Sequence, residues 1–263
     1  MPHPEFFSPK RSITLAAITA LMLAPTGLAH ASASGPSDAE EAPAHRSFSV
    51  ELKRGEVLQL IAPEARADAA DARAEYYRTA VPPAEELGFR RLGQLNVRQK
   101  VVSEYDPGGF IFFSWPSQAA FDQFSVRPDL PEIEAMRPQG WDELRLYNLE
   151  LEEDISLQFR SDKHYTVVVA WLDAENSADY DRYLDGIEPA VRAAGGRFVY
   201  KMRAPSMEAH NSPPGAPGQI TFVEWSDVDG FAKVQQSQEY LDHRQYFGSS
   251  VDRFEFYWLE MPA

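Results

Sequence analysis

Phe110–Trp115 runs FIFFSW and Ile220–Trp225 runs ITFVEW, with Trp115 and Trp225 standing 110 positions apart. The same offset carries Phe121 onto Phe231, Asp142 onto Asp252, Leu144 onto Phe254, Tyr147 onto Tyr257 and Leu149 onto Leu259. It also carries Val57–Ala62 (VLQLIA) onto Val167–Leu172 (VVVAWL). Between these anchors the offset shortens to 106, where Pro83 meets Pro189. One offset held across a strand, a helix and a further strand predicts an internal duplication.

Each copy has the pattern β-α-β-β-α-β. In the second, Tyr165–Leu172 is rich in valine and aromatic residues and predicts a strand. A helix is expected from about Ser177, with Tyr180, Tyr183, Leu184, Ile187 and Val191 on one face, ending at Gly195-Gly196. Arg197–Arg203 and Gln219–Trp225 predict strands, separated by Ala204–Gly218 (APSMEAHNSPPGAPG), whose proline and glycine content predicts an exposed turn. Ser226 with Asp229 marks a helix start, and Val228, Phe231 and Val234 supply its apolar face. Arg253–Glu260 (RFEFYWLE) closes the unit as a strand. Short strand-like runs at Ser47–Leu52 and Ile155–Phe159 precede the two copies. The expected organisation is two tandem ferredoxin-like (βαββαβ) domains of α+β class, residues 47–153 and 154–263.

The strands also predict how the copies meet. Phe254, Phe256 and Trp258 alternate with Tyr257 and Leu259, so both faces of the last strand are apolar or aromatic, and Val167–Leu172 is apolar on both faces too. A sheet with one solvated face alternates with polar residues, so this sheet is expected to be covered twice. Helices of its own copy cover one face, and the simplest cover for the other is the sheet of the second copy. The two antiparallel sheets are therefore expected to pair into an intramolecular α/β barrel.

Gly195-Gly196-Arg197-Phe198, Ile220–Trp225, Phe231 and Ser237-Gln238-Glu239-Tyr240 resemble the dimeric α/β-barrel superfamily, nearest to its domain-of-unknown-function thirteen-thirty family. The likeness covers about Tyr165 to Met261. It implies domains that pair sheets face to face. The chain departs from that branch at Val234-Gln235, where an aromatic pair is common, and at Lys201-Met202-Arg203, in place of an Arg-Gly-Gly stretch. Haem-degrading and cofactor-free monooxygenase members rely on an Asn, a Trp and a His. Here Val234 stands at the Trp place, and His243 falls one position before the His place, which Arg244 fills.

Ahead of the first copy, Lys10 and Arg11 precede the uncharged run Ile13–Ala24 (ITLAAITALMLA), then Pro25, Gly27 and the small-x-small triplet Ala29-His30-Ala31. This is the order of a secretory signal peptide, residues 1–31, cleaved near Ala31 so that the mature chain begins at Ser32. A helix of that apolar run rises about 18 Å, short of a bilayer core of about 30 Å. No membrane span is expected, and a periplasmic or secreted location is. Residues 32–46, small, acidic and proline-containing, predict a flexible leader. The net charge of −15 argues against nucleic acid as a partner, because phosphate binding needs a basic face. The absence of cysteine excludes disulfides, thiolate metal sites and lipoprotein attachment.

No GxGxxG, GxSxG, HExxH or phosphate-loop spacing occurs. His45, His164, His210 and His243 are far apart in sequence, so no metal site is expected, nor any cofactor. Glu224 is either a buried acid or, as the simpler expectation, a strand-end carboxylate paired with Lys or Arg. Trp171, Trp225, Tyr257 and Trp258 are first of all core. Tyr240, His243 and Arg244 stand at i, i+3 and i+4, hence on one helical face. Their counterparts in the first copy are Leu130, Ile133 and Glu134, so this trio is the candidate ligand site, with a solvated helix face as the alternative. The favoured function is a non-catalytic binder of a small apolar or aromatic molecule at the barrel mouth. A cofactor-independent monooxygenase- or isomerase-like enzyme and a structural or interaction domain are the alternatives. A monomer or loose homodimer is expected.

Overall fold

A computed structural model describes residues 45–212 and 215–263, and those from 45 onward belong to one compact unit. The expected signal peptide and nearly all of the leader lie outside the described residues. The fold is α+β with antiparallel sheets. β1 (Ser47–Leu52) pairs with β6 (Ile155–Arg160) as a two-stranded sheet. The other nine strands form one sheet.

In the first half, β2 (Val57–Ala65) is followed by α1 (Ala70–Glu85), β3 (Arg90–Val102), β4 (Gly109–Trp115), the short helices α2 (Gln118–Ser125), α3 (Leu130–Glu134) and α4 (Arg137–Gly140), and β5 (Trp141–Glu150). In the second, β7 (His164–Leu172) precedes α5 (Ser177–Ala193), β8 (Gly196–Arg203), β9 (Ser206–His210), β10 (Gln219–Trp225), α6 (Gly230–Gln235), α7 (Gln238–Ser250) and β11 (Val251–Glu260). The sheet order is β8-β10-β7-β11-β3-β4-β2-β5-β9. Both runs, β3-β4-β2-β5 and β8-β10-β7-β11, follow one plan: the first strand lies between the third and fourth, and the second lies beyond the third.

β11 joins the runs by pairing with the far end of β3, Phe256 opposite Val102 and Glu260 opposite Asn96. β5 pairs with β9, Asn148 opposite Ser206 and Leu144 opposite His210. The ladder has two ends, β8 and β9, and no ladder pairs one with the other. This β9 corrects the expected exposed turn at Ala204–Gly218. The edge of β5 offers unpaired backbone groups, and Met207 packs on the interior core. Only Ala204-Pro205 separates β8 from β9, with Ala204 in the left-handed region at φ 45°.

One core spans both halves. Leu58, Leu60, Leu95, Phe110, Phe112 and Tyr147 meet Tyr165, Val167, Val169, Ile220, Phe222 and Tyr257 in a single cluster. Val50 and Leu52 of β1, with Leu157 and Phe159 of β6, complete it. Phe159 is fully buried and stacks on Phe48 at 4.8 Å, with Phe112 at 5.2 Å and Tyr165 at 5.3 Å. Phe48 lies so close to β3 that a Cβ at Gly93 would come 2.1 Å from its ring. The other faces of the strands pack on helices. Trp141, Leu144 and Leu146 meet Tyr76 of α1, Phe254 meets Phe247 of α7, and Phe256 meets Phe231 of α6.

The expected second helix of the second half is divided. α6 begins after Asp229, and α7 starts afresh at Ser237, whose hydroxyl accepts from the Tyr240 amide. Val228 precedes α6 and is exposed, so it leaves the expected apolar face, because the helix begins two residues later.

Candidate functional site

The alternation of β5 and β11 places three side chains of each strand toward the interior: Glu143, Arg145 and Tyr147 from β5, and Arg253, Glu255 and Tyr257 from β11. Arg145 is 1% exposed and Glu255 2%. The Arg145 Nη1 donates to both Glu255 oxygens, at 3.0 and 2.9 Å. Its Nε donates to Glu143, and Arg253 donates to Glu255 at 2.5 Å. The charges therefore alternate along a chain, Glu143, Arg145, Glu255, Arg253.

Aromatic rings enclose this chain. The Arg145 guanidinium lies 3.8 Å from the Tyr105 ring centre, and that of Arg253 lies 4.2 Å from the Trp171 ring. The Tyr257 hydroxyl stands 2.7 Å from Ser103 Oγ and 3.1 Å from Glu255. Tyr105 donates to the Ala62 carbonyl, and Trp171 Nε1 to that of Gly215 at 2.9 Å. The side chain of Arg253 is 38% exposed and Trp171 is half-buried, so this end of the cluster opens to solvent.

The electrostatics favour holding over proton transfer. Burial pushes the Tyr105 and Tyr257 phenols well above their ordinary value. Burial pushes Tyr147 up to about 12 although Arg145 pulls it the other way. Burial acts against the Arg145 cation, but Tyr147 and Glu255 outweigh it and its pKa is raised. At neutral pH the tyrosines are neutral donors and Arg145 is charged. Each carboxylate is engaged by arginine, and no histidine is among these partners.

A second buried arginine, Arg137 of α4, joins the halves elsewhere. It donates to Glu208 of β9, lies 3.6 Å from Glu134 of α3 and bonds the Tyr76 hydroxyl.

The sequence-predicted trio shares α7, with its three side chains in different surroundings. Tyr240 is buried, its phenol pushed up by that burial. His243 bonds the Glu239 carbonyl through Nδ1 and packs on α5, where a Cβ at Gly186 would come 2.1 Å from its ring. Arg244 is exposed. Glu224 takes a two-point bond from Arg197 at 2.9 and 3.0 Å, the paired strand-end carboxylate of the simpler expectation. His164 begins β7 and is half-buried, and His210 ends β9. Among the described residues no three His, Asp or Glu side chains gather as metal ligands, and no helix is long and apolar enough to cross a membrane. Sequence reasoning missed the charged chain, although its own offset contains the signal. Glu-x-Arg at 143 and 145 falls on Arg-x-Glu at 253 and 255.

Residues 164–250 match the family described as Domain of unknown function (DUF1330). That match lies wholly within the second half. No curated protein matches the chain. Among solved structures, an anthrone oxidase-like protein is similar at 12% identity and a TM-score of 0.50, over 80% of this chain and 94% of that one. This likeness shows the fold alone, a mixed α+β arrangement with antiparallel sheets. A protein of unknown function from Rhodopseudomonas palustris matches at 22% identity over 38% of this chain and 84% of its own, with a TM-score of 0.33. A chlorite dismutase from Candidatus Nitrospira defluvii matches at 12% identity over 80% and 93%, with a TM-score of 0.41.

Proposed function

We propose that the protein is an exported, non-catalytic binder of a small apolar or aromatic molecule, made of two tandem copies of one ferredoxin-like unit that wrap into a single α/β barrel. The barrel reading is supported by the ladder ends. β8 and β9 stand farthest apart in the strand order, yet only two residues separate them in the chain. The single core fed by both halves supports it too. Ligand entry is assigned to the end of the charged chain where Trp171 and Arg253 are part-open to solvent.

The observation that carries the non-catalytic part is the saturation of the buried charges. Every ionised group of the Glu143–Arg253 chain has its counter-ion, and burial holds the neighbouring tyrosines protonated. A general base needs a pKa near the working pH and a free lone pair. The test is native mass spectrometry of protein purified from the periplasm of the exporting cell, followed by calorimetry with small aromatic acids. A bound molecule whose affinity falls at least tenfold in Trp171→Leu is expected. Arg244→Ala is the probe of the α7 face. A loss there, with Trp171→Leu unchanged, would move the site to Tyr240, His243 and Arg244. Dioxygen consumption with any of these compounds, abolished by Tyr257→Phe, would overturn the non-catalytic reading.

A further inference from the structure

Arg145 and Glu255 stand 110 positions apart, the same offset that relates Trp115 to Trp225 and Tyr147 to Tyr257. Residues at matching places in the two halves therefore touch one another. Such a contact lies beside an approximate two-fold axis, where in a pair of identical halves each residue meets its own copy. Two first halves would set Arg145 against Arg145, and two second halves Glu255 against Glu255. Two carboxylates at about 3 Å in a buried site cannot both stay ionised, and two guanidiniums, which do not deprotonate, repel each other there. Only a first half against a second gives opposite charges.

The exchange is complete rather than single. The first half carries Glu143 and Arg145, the second Arg253 and Glu255, and the four join into one alternating chain of no net charge. Strand positions beside them keep their type, with Asp142 matching Asp252, Tyr147 matching Tyr257 and Leu149 matching Leu259. Within β5 and β11, charge reversal falls on the two positions of the charged chain, and Arg145 with Glu255 is the pair that meets across the contact.

We infer that the charged chain is a partner-selecting device: the β5 surface fits the β11 surface of a second half and rejects another β5, and β11 likewise rejects another β11. The halves are thereby restricted to unlike pairing, and two chains are barred from joining through like halves. This rests on the reading of two related halves. Polar groups placed where only one pairing satisfies them are a known means of fixing association state, at some expense in stability.

The test uses the full chain. Glu143→Arg with Arg145→Glu gives the first half the Arg-x-Glu pattern of the second and sets Glu against Glu255. The fourfold exchange, adding Arg253→Glu and Glu255→Arg, restores alternation with every charge reversed. Each is made in the presence of Asn96→Cys and Glu260→Cys, on paired positions of β3 and β11, so that a disulfide reports pairing of the halves independently. The like-patterned chain is expected to show an unfolding constant raised by about two to three orders of magnitude and oligomers in sedimentation. The fourfold exchange should recover most of that loss and sediment as a monomer. Should the like-patterned chain be insoluble, recovery of soluble monomer in the fourfold exchange still decides the matter. A like-patterned chain as stable and monomeric as wild type, or a fourfold exchange no better than it, overturns the device. The disulfide forming in the chain that carries only Asn96→Cys and Glu260→Cys, despite that result, would leave the two-half reading standing.

Discussion

Replacing Arg145 by methionine should be among the most damaging single changes in the chain. Its guanidinium is 1% exposed and serves Glu255 with two contacts, Glu143 with one, and the Tyr105 ring by stacking. Removal leaves Glu255, itself 2% exposed, without its main counter-ion. Breaking a buried pair from one side costs about 3–5 kcal/mol. Because Arg253 and Tyr257 still reach Glu255, the lower end, about 3 kcal/mol, is expected. Replacing both partners, Arg145→Met with Glu255→Leu, removes the orphan charge, and such apolar exchanges are often neutral. Arg253 and Glu143 then turn toward solvent at the open end. The double variant should lie within about 1–2 kcal/mol of wild type, a coupling of at least about 2 kcal/mol. Urea denaturation followed by tryptophan fluorescence measures this. With a slope of about 2–3 kcal/mol per molar, the single variant's midpoint falls by about 1 M or more. A double variant whose loss equals the sum of the singles would refute the reasoning.

Three further outcomes follow from particular contacts. Phe159→Ala should cost about 3–5 kcal/mol, since the ring is fully buried among Phe48, Phe112 and Tyr165, and the same urea experiment reads it. Ala204→Gly should raise the stability by up to about 1 kcal/mol, because φ 45° strains alanine and not glycine; a loss would mean that its methyl packs favourably. Glu134 is held above its ordinary 4.5 by burial and by Glu208, so it adds stability below that pH that is lost as pH rises through its folded value. Glu134→Gln should therefore flatten the fall in stability from about pH 4.5 upward, read as urea midpoints across pH, whereas an unchanged slope would assign that fall to other groups.

Much of the fold was legible because its signals were local. The apolar face of α5 lies where the spacing of Tyr180, Leu184, Ile187 and Val191 put it, and both faces of β11 are covered as its double alternation required. β9 was hidden by the prolines and glycines around it. Ser206–His210 has little strand propensity of its own, and its pairing depends on the edge of β5 far off in sequence. The divided helix α6–α7 was missed because the hydroxyl of Ser237 restarts the chain only once Val234 is packed. The charged cluster stayed unseen for another reason. Glu143, Arg145, Arg253 and Glu255 read singly as surface residues, and only their meeting across β5 and β11 buries them. The trio on α7 shares one helix as its periodicity required; what periodicity could not give is its surroundings, Tyr240 buried, His243 against Gly186 of α5 and Arg244 exposed.

The central claim is that two halves of one chain pair through β3 and β11, and the absence of cysteine makes it directly testable. Asn96→Cys with Glu260→Cys places one thiol on each of two opposed strand positions, within the usual Cα separation of a disulfide. Oxidised at high dilution, the purified chain should form the bond within single molecules, seen as a monomer of shifted mobility on a non-reducing gel that reverts on reduction. Thiols that stay free, or that link only into dimers, would contradict the claim.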